Sequence, residues 1–303
     1  MARIASIGEC MIELSEAAGT DGQMRRTFGG DTLNTAVYLA RCLRRADATV
    51  HYVTALGDDP FSAEMLAAWQ AEGIDTGLVF RLPGRLPGLY IIRTDAAGER
   101  TFHYWRSAAA AREMLRPEQA ETLAGALSGV DLVYLSGITL GILDGDSRQR
   151  LFALLETLKH AGCRIAFDTN YRPRLWQSRA EARDAVNRVL ALAAVALPTF
   201  DDEAGLFDDE SPAATVRRLH ALGVDEVAVK RGGAPCLVSR AGRMVEIAGE
   251  TVARPVDTTA AGDSFNAAYL AARLGGAAPE AAAAAGHRLA ARVIAHKGAI
   301  IPA

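Results

Sequence analysis

The chain of 303 residues lacks several patterns, and each absence excludes a class of protein. Its four cysteines include no C-x-x-C pair, so neither a zinc site nor a disulfide framework is expected. The longest uninterrupted apolar run, residues 189–197, is about half the length that a membrane span requires. The first residues enter a strand-like pattern without a charged leader and apolar segment, which favours a cytoplasmic location.

Charge of one sign does not dominate the chain. Lys and Arg number 33 against 36 Asp and Glu, which gives a net charge of −3, and no basic block interrupts the sequence. Neither nucleic acid nor a membrane is therefore an expected partner. The hydrophobic share of 50% and the charged share of 23% are typical of a globular chain.

Three common fingerprints of nucleotide and metal chemistry are also missing. The sequence contains no G-x-x-x-x-G-K-[ST], no G-x-G-x-x-G and no H-E-x-x-H. A P-loop, a dinucleotide-binding turn and a zinc-protease helix are therefore not expected. The six histidines are scattered, which is typical of surface or packing residues.

Short β-rich runs alternate with longer amphipathic runs along most of the chain. This alternation predicts an α/β fold with a mostly parallel, doubly wound sheet covered by helices on both faces, in three layers. The predicted strands are 4–8, 50–55, 132–136, 164–168, 195–198 and 226–230. The predicted helices are 32–45, 61–72, 147–160, 179–192, 213–222, 262–274 and 279–296.

One region interrupts the alternation and predicts a small antiparallel lid. Residues 89–94 and 99–106 indicate a hairpin with a turn at 95–98, and 24–28 are a candidate to pair with it. The expected organisation is one domain, 1–303, with lid strands from about 10–28 and 77–106. The lid has to pack on substrate, on the core or on a second copy, and the last case favours a homo-oligomer.

The segment Asp257-Thr-Thr-Ala-Ala-Gly-Asp263-Ser-Phe-Asn is the most informative one. Small residues lead directly into a predicted helix, whose first N–H groups and positive dipole end form an anion site when no side chain blocks approach. Asp263 lies in the first turn, beside those donors. The alternative interpretation is that Asp263 is only a carboxylate that stabilises the helix start.

The segment Phe28-Gly-Gly-Asp-Thr-Leu-Asn34 offers a second candidate site. Two glycines allow the backbone to approach a ligand closely, and a helix is expected to begin at Asp31 or Thr32. Asn34 offers both a donor and an acceptor, which suits sugar hydroxyls. A plain glycine turn with an Asp cap is the alternative.

One face of the predicted lid is a third candidate. Arg100, Phe102, Tyr104 and Arg106 alternate onto one face of a strand, and Tyr90 lies on the partner strand. An aromatic hydroxyl beside a guanidinium can hold a carboxylate, which Arg binds with two parallel hydrogen bonds. The alternative is an ordinary exposed edge strand.

Two predicted strand ends carry polar or glycine-rich loops. The strand 164–168 ends in Asp168, and Asn170 and Arg172 follow it at the sheet edge where ligands bind parallel sheets. Pro173 makes a structural turn the alternative. The strand 226–230 runs into a glycine turn at Gly232, where a nucleotide could lie.

Taken together, these segments resemble the ribokinase-like (PfkB) carbohydrate kinases over essentially the whole chain, and within them the subgroup that acts on 2-keto-3-deoxygluconate. The Asp257–Phe265 stretch is similar to the general signature of the family. The stretches that are similar to the subgroup are Ile7-Gly-Glu-Cys-Met-Ile-Glu-Leu14, Gly29-Gly-Asp-Thr-Leu-Asn-Thr-Ala-Val-Tyr-Leu-Ala-Arg41, Leu86-Pro-Gly-Leu-Tyr90, Gly98-Glu-Arg-Thr-Phe-His-Tyr-Trp-Arg106 and Asn170-Tyr-Arg-Pro-Arg-Leu-Trp176. Asp31 and Thr32 depart from the small residues usual in the family, which implies an altered substrate preference.

The resemblance implies a role for each matching residue. Asp263 would be the catalytic base, and the amides of Ala261, Gly262 and Asp263 would form an anion hole. The residues implied to hold the keto acid are Gly30, Asn34, Tyr90, Tyr104, Arg106 and Arg172. Those implied to face the nucleotide are Asp168, Asn170, Lys230, Gly232, Ala260 and His287.

The implied reaction is ATP-dependent phosphorylation of the C6 hydroxyl of 2-keto-3-deoxy-D-gluconate. Mg²⁺ would arrive on ATP without direct protein ligands, and the resemblance allows, without requiring, a monovalent cation near Asp257. Two alternatives stay open at this point: a fructokinase-like or ribokinase-like sugar kinase, and a non-catalytic sugar-binding regulator on the same scaffold. The intact Gly262-Asp263 pair argues against the regulator.

Overall fold

A computed structural model describes residues 2–16, 22–94, 100–250 and 252–302. Its strands are β1 (Ala2–Ile7), β2 (Met11–Glu16), β3 (Met24–Gly29), β4 (Ala48–Leu56), β5 (Val79–Arg81), β6 (Gly88–Thr94), β7 (Arg100–Trp105), β8 (Leu132–Ser136), β9 (Arg164–Asp168), β10 (Val195–Ala196), β11 (Glu226–Arg231), β12 (Ala234–Arg240) and β13 (Arg243–Ile247). Its α-helices are α1 (Asp31–Leu43), α2 (Pro60–Ala71), α3 (Pro117–Ala126), α4 (Gly137–Ile142), α5 (Gly145–His160), α6 (Arg179–Leu190), α7 (Phe200–Phe207), α8 (Pro212–Ala221), α9 (Ala261–Leu274) and α10 (Pro279–Ile294).

The described strands include a nine-stranded sheet of order β13-β12-β11-β10-β9-β8-β1-β4-β5. The pairings from β11 through β5 are parallel, and β12 and β13 add antiparallel strands at one edge. Alternate residues of β1 enter opposite cores, since Ile4 packs with α1 and α9 whereas Ala5 packs with α5 and α6. The predicted three-layer, mostly parallel α/β fold is confirmed.

A separate four-stranded sheet of order β3-β2-β6-β7 forms the lid. Its outer pairings, β2–β3 and β6–β7, are antiparallel, but the central pairing β2–β6 is parallel, so the sheet is mixed. Residues 24–28 were a candidate to pair with the hairpin, but β3 pairs with β2 instead. The segment 77–106 was expected to contribute only lid strands. Its first strand, β5, pairs with β4 and therefore belongs to the large sheet. The predicted turn at 95–98 lies outside the described residues.

The carboxyl ends of the central parallel strands meet along one edge of the large sheet. Residues 8–10 follow β1, Thr169 and Asn170 follow β9, and α7 begins shortly after β10. The N-termini of α1 and α9 approach the same edge, where their first turns are hydrogen bonded to each other. Within the described ranges, no helix is long and apolar enough to span a membrane.

Candidate active site

Asp263 lies in the first turn of α9, which begins after Ala260 in a left-handed conformation with φ 60°. Its Oδ2 accepts a hydrogen bond of 2.8 Å from Asn34 Nδ2, and Thr35 Oγ1 donates to the Asp263 carbonyl at 3.3 Å. Both donors belong to α1. The carboxylate is thus oriented by a second helix and is more than a residue that stabilises the start of its own.

The environment of Asp263 shifts its proton affinity. Burial, helped by the nearby carboxylate of Asp31, raises the pKa of Asp263 to about 7, although the hydrogen bond from Asn34 and the charge of Lys230 oppose the shift. A pKa close to the working pH is the property that a general base needs. The residue is chemically suited to take a proton from a hydroxyl group.

The amides around Asp263 differ from the predicted anion hole at one position. The N–H of Ala261 donates to the Thr258 carbonyl at 3.2 Å, so it is not free, contrary to expectation. The amides of Gly262 and Asp263 have no acceptor within the segments that the structure describes. Two donors therefore remain for an anion at this helix start.

A buried polar network lies beneath the start of α9. Lys230 Nζ donates to Asp168 Oδ2 at 2.6 Å and to Asn266 Oδ1 at 3.0 Å, and Asn266 Nδ2 donates to the same carboxylate at 2.7 Å. The ammonium would lie 3.4 Å from a Cβ placed on Gly262. Lys230 thus points inward beneath the helix start, whereas Gly232 lies in the exposed β11–β12 turn with φ 58°.

Asn170 follows β9 in a left-handed conformation with φ 32°, which is unusual for a residue other than glycine. Its side-chain amide donates to Asp31 Oδ2 at 2.7 Å, and its N–H donates to Asp168 Oδ1 at 3.2 Å. Burial raises the pKa of Asp31, and Asp168 adds to this rise. The strained backbone at Asn170 directs a polar side chain into the cluster of carboxylates.

The inner face of the lid carries the predicted aromatic residues. Tyr90 and Tyr104 face each other in the β6–β7 register, with ring centroids 5.7 Å apart, and Phe102 stacks beside Tyr104 at 6.3 Å. The guanidinium of Arg106 lies 5.8 Å from the centre of the Tyr104 ring. The prediction that these residues share one face is confirmed, and Tyr104 remains 46% exposed. The side chain of Arg100 lies outside the described part.

Two carboxylates that were not predicted bind the lid residues. The Tyr90 hydroxyl donates to Glu13, which also accepts from Thr27 Oγ1 at 2.9 Å. Arg106 Nη2 donates to Glu9. The predicted free clamp at Arg106 therefore needs correction, because one edge of its guanidinium is already engaged.

Arg172 is the second predicted carboxylate-binding cation. Its side chain is half-exposed and donates to Asp202 Oδ1 at 3.2 Å and to the Tyr171 carbonyl at 2.8 Å. Burial raises the pKa of Asp202 to about 6, which Arg172 opposes. Burial also raises the pKa of Tyr104, and the charges of Arg106, Arg172 and Arg174 oppose this rise.

The structure places two further predicted site residues, Gly30 and His287, in different surroundings. Gly30 precedes α1, and a Cβ there would lie 2.1 Å from the Glu9 carbonyl oxygen, so only glycine fits. His287 contacts Ile247, whose carbonyl lies 3.0 Å from Nε2, and packs edge-on against Phe265 at 5.2 Å. These contacts are those of a packing residue, and the prediction that His287 lines an adenine pocket gains no support.

A cavity of about 570 Å³ opens beside this cluster, between the lid and the helices α1 and α2. Asp263, Asn34 and Arg106 do not line it, and Glu13 and Thr27 are the residues it shares with the contacts above. In the described ranges, no group of three or more His, Cys, Asp or Glu side chains is placed to hold a metal ion.

Sequence reasoning missed Glu9, Glu13, Asp202 and Asn266, and it named Asp31 as a helix start and a departure from the family without predicting its contact with Asn170. A signal for the first two was present, because Glu9 and Glu13 interrupt the otherwise mostly apolar stretch of residues 4–14. A buried carboxylate requires a partner, and the partners found, Arg106 for Glu9 and Tyr90 for Glu13, come from the lid segment. Asn266 ends the segment that begins at Asp257, but nothing in that segment marks its side chain as a partner of Asp168.

Comparisons with known proteins identify the family of the chain. The family description "pfkB family carbohydrate kinase" matches residues 1–303. The chain is 51% identical to the 2-dehydro-3-deoxygluconokinase of Dickeya dadantii (strain 3937), over 99% of this chain and 96% of that protein. It is 50% identical to the 2-dehydro-3-deoxygluconokinase of Escherichia coli (strain K12), over 99% and 97% respectively.

The fold has solved counterparts. The crystal structure of a putative ribokinase II from E. coli in complex with ATP and Mg²⁺ matches with a TM-score of 0.86 at 22% sequence identity, over 99% of this chain and 94% of that one. Fold, family match and close relatives agree. The chain therefore belongs to the pfkB family of carbohydrate kinases and is a sugar kinase.

Proposed function

We propose that the chain, as one domain, transfers the terminal phosphoryl group of ATP to the C6 hydroxyl of 2-keto-3-deoxy-D-gluconate. The products are ADP and 2-keto-3-deoxy-6-phosphogluconate. The observation that carries the proposal is the Asp263 carboxylate, held by Asn34 at 2.8 Å beside two amides that have no acceptor among the described residues. The roughly 50% identity to two 2-dehydro-3-deoxygluconokinases supports the substrate.

Asp263 acts as the base in this proposal. Its carboxylate takes the proton of the C6 hydroxyl while O6 forms a bond to the γ-phosphorus of ATP. The bond between that phosphorus and the oxygen bridging to the β-phosphate breaks, and ADP leaves with the electron pair. Phosphoryl transfer depends on positioning and charge stabilisation more than on covalent chemistry. The amides of Gly262 and Asp263 donate to the transferring group as its charge shifts.

The nucleotide lies, in this proposal, along the edge formed by Asp168, Asn170, Lys230, Gly232 and Ala260. Lys230, beside Gly262, contributes positive charge beneath the phosphates. Magnesium bound with ATP supplies charge neutralisation at the phosphates. The carboxylate and amide oxygens of Asp168 and Asn170 are of the kind that bind magnesium or accept hydrogen bonds from its waters. The E. coli putative ribokinase II, whose structure contains ATP and Mg²⁺, supports the proposal of these two ligands.

The sugar acid lies, in this proposal, between the lid and the start of α1. Gly30 and Asn34 contact it from the body, and Tyr90 and Tyr104 from the lid. Its carboxylate binds Arg106 and Arg172, two of the three cations whose charges lower the pKa of Tyr104. Fructose and ribose have no carboxylate, so this pair of cations distinguishes the keto acid from neutral sugars.

A coupled assay of ADP release tests the proposal. The acceptors are 2-keto-3-deoxygluconate, its C4 epimer, fructose and ribose. Because hydrogen bonds to a charged group contribute about 1.5–3 kcal/mol each, kcat/KM for the keto acid should exceed that for either neutral sugar by roughly 100-fold. Equal or faster turnover of fructose would instead indicate a fructokinase. Sugar binding with no ADP release from any acceptor would indicate a regulator.

We also propose that the protein forms a homo-oligomer. The outer face of the lid exposes Trp105 by 58% and Met24 by 41%, which suits contact with a second copy. Size-exclusion chromatography with light scattering is expected to give a homo-oligomer, and a Trp105→Ser variant should shift it toward the monomer.

A further inference from the structure

Glu9 and Arg106 join the two sheets of the molecule. Glu9 lies in the three-residue link between β1 of the large sheet and β2 of the lid, and Arg106 follows the last lid strand, β7. The two side chains form an ion pair in which Glu9 is fully buried and Arg106 is 12% exposed. Their contact therefore fixes the end of the lid against the edge of the large sheet where the candidate active site lies.

Burying this pair costs desolvation free energy, and its contacts leave two of its polar atoms unpaired among the described residues. Two charges leave water, and such a pair is often no more stabilising than apolar residues of similar volume. Glu9 Oε1 and Arg106 Nε are both buried and have no hydrogen-bond partner among the described residues. An unpaired donor on a buried guanidinium is rare in proteins and calls for an acceptor from outside the chain.

The surroundings leave the guanidinium little freedom. The Tyr104 ring lies against it, with the ring centre 5.8 Å from Cζ. Glu9 is itself confined, because Oε1 lies 2.9 Å from the position that a Cβ on Gly88 would take. Glycine at position 88 thus provides the space in which the carboxylate holds Arg106.

We propose that Glu9 is a positioning residue that acts through Arg106. It engages one edge of the guanidinium and directs the remaining donors, Nε among them, toward the carboxylate of the acceptor. Glu9 thereby sets the preference for a sugar acid over a neutral sugar. This inference rests on the proposed function, since it assumes a substrate carboxylate at Arg106.

The test uses two variants of the full-length enzyme, Glu9→Gln and Glu9→Asp. Glutamine removes the charge and keeps the shape, whereas aspartate keeps the charge and withdraws it by one methylene. For each, kcat and KM are measured with 2-keto-3-deoxygluconate and with 3-deoxyfructose, in which a hydroxymethyl group replaces the carboxylate. Glu64→Gln is the matched control, because it removes the same charge from an exposed pair with Arg26.

Both Glu9 variants should raise KM for the keto acid by roughly tenfold, which corresponds to about 1.4 kcal/mol. Their kcat should stay within about twofold of the wild type, and kcat/KM for 3-deoxyfructose should change by less than about threefold, as expected for loss of uniform binding. Glu64→Gln should match the wild type. Equal losses on both acceptors, or a fall in kcat with KM unchanged, would overturn the inference.

A double variant keeps the test decisive if a lone Arg106 destabilises the fold. In Glu9→Gln/Arg106→Gln no unpaired buried charge remains, so thermal unfolding should recover toward the wild-type temperature. In the Arg106→Gln background, adding Glu9→Gln should not reduce acid preference further. An additional loss there would show that Glu9 does not act through Arg106. If the wild type itself showed no preference for the acid, the proposed function would fail and not this inference alone.

Discussion

Asn34 Nδ2 donates a 2.8 Å hydrogen bond to Asp263 Oδ2, and this contact links the first turn of α1 to the first turn of α9. Two helix N-termini thus converge on one carboxylate. The Oδ1 atom of Asn34 is buried and has no partner among the described residues, so it remains available to a hydroxyl group of the acceptor. The same side chain can orient the base and contact the sugar.

Loss of this contact should lower turnover. Asn34→Ala removes a hydrogen bond to a charged group, which contributes about 1.5–3 kcal/mol, so kcat should fall by roughly 10- to 100-fold. Asn187→Ala, on α6 and away from the site, is the control and should retain wild-type kcat. Steady-state assays of ADP release give both values. Wild-type kcat in Asn34→Ala would show that α9 alone orients Asp263.

The pH dependence of the reaction should report the base. The pKa of Asp263 is raised to about 7, chiefly by burial. The deprotonated form accepts the proton of the hydroxyl, so kcat/KM should rise about tenfold per pH unit below pH 7 and level off above it. A pH series in buffers of constant ionic strength measures this. A profile that is flat from pH 5 to pH 8 would contradict the assignment.

Arg172 should contribute to acid selectivity and little to the chemical step. Arg172→Gln removes a half-exposed guanidinium, and kcat/KM for the keto acid should fall by roughly tenfold or more, while that for fructose stays near the wild-type value. Arg188→Gln, on α6, carries the same change of charge and should leave both ratios unaltered. Parallel assays on the two acceptors decide the matter. An equal fall for fructose would exclude a contact with the substrate carboxylate.

The pair of Lys230 and Asp168 should matter for stability. The two side chains are 9% and 4% exposed, so Lys230→Met leaves a buried carboxylate without its cation and should cost about 3–5 kcal/mol of unfolding free energy. The double variant Lys230→Met/Asp168→Asn should lose less, because no unpaired charge remains. Urea unfolding followed by circular dichroism gives these values. Additive losses would indicate that the two charges do not interact.

The central strands of the large sheet could be predicted closely from the local sequence pattern. Strands β8 and β9 have the predicted bounds, because buried parallel strands are short apolar runs that end at polar residues. Helix α9 begins one residue before its predicted start, at Ala261. The strand order of the lid was harder to predict from the sequence. The parallel pairing of β2 with β6 joins residues nearly 80 positions apart, and no turn sequence specifies it.

The sequence predicted several residues of the candidate site, but it did not predict the contacts between them. Asp263 and Asn34 were singled out separately, but nothing local shows that they bond each other across 229 positions. The engagement of Arg106 by Glu9 also depends on tertiary packing. Ala261 shows the limit of the family resemblance, which implied a free amide there, because a local turn to the Thr258 carbonyl occupies it.

The most direct test of the account is the turnover of Asp263→Asn, measured with saturating ATP and 2-keto-3-deoxygluconate. The amide preserves the shape of the side chain and cannot accept the hydroxyl proton. Because a general base contributes roughly 10²- to 10⁴-fold, kcat should fall by that factor while acceptor binding, followed by calorimetry, stays close to the wild type. Turnover near the wild-type rate with binding intact would contradict the assignment of Asp263 as the base.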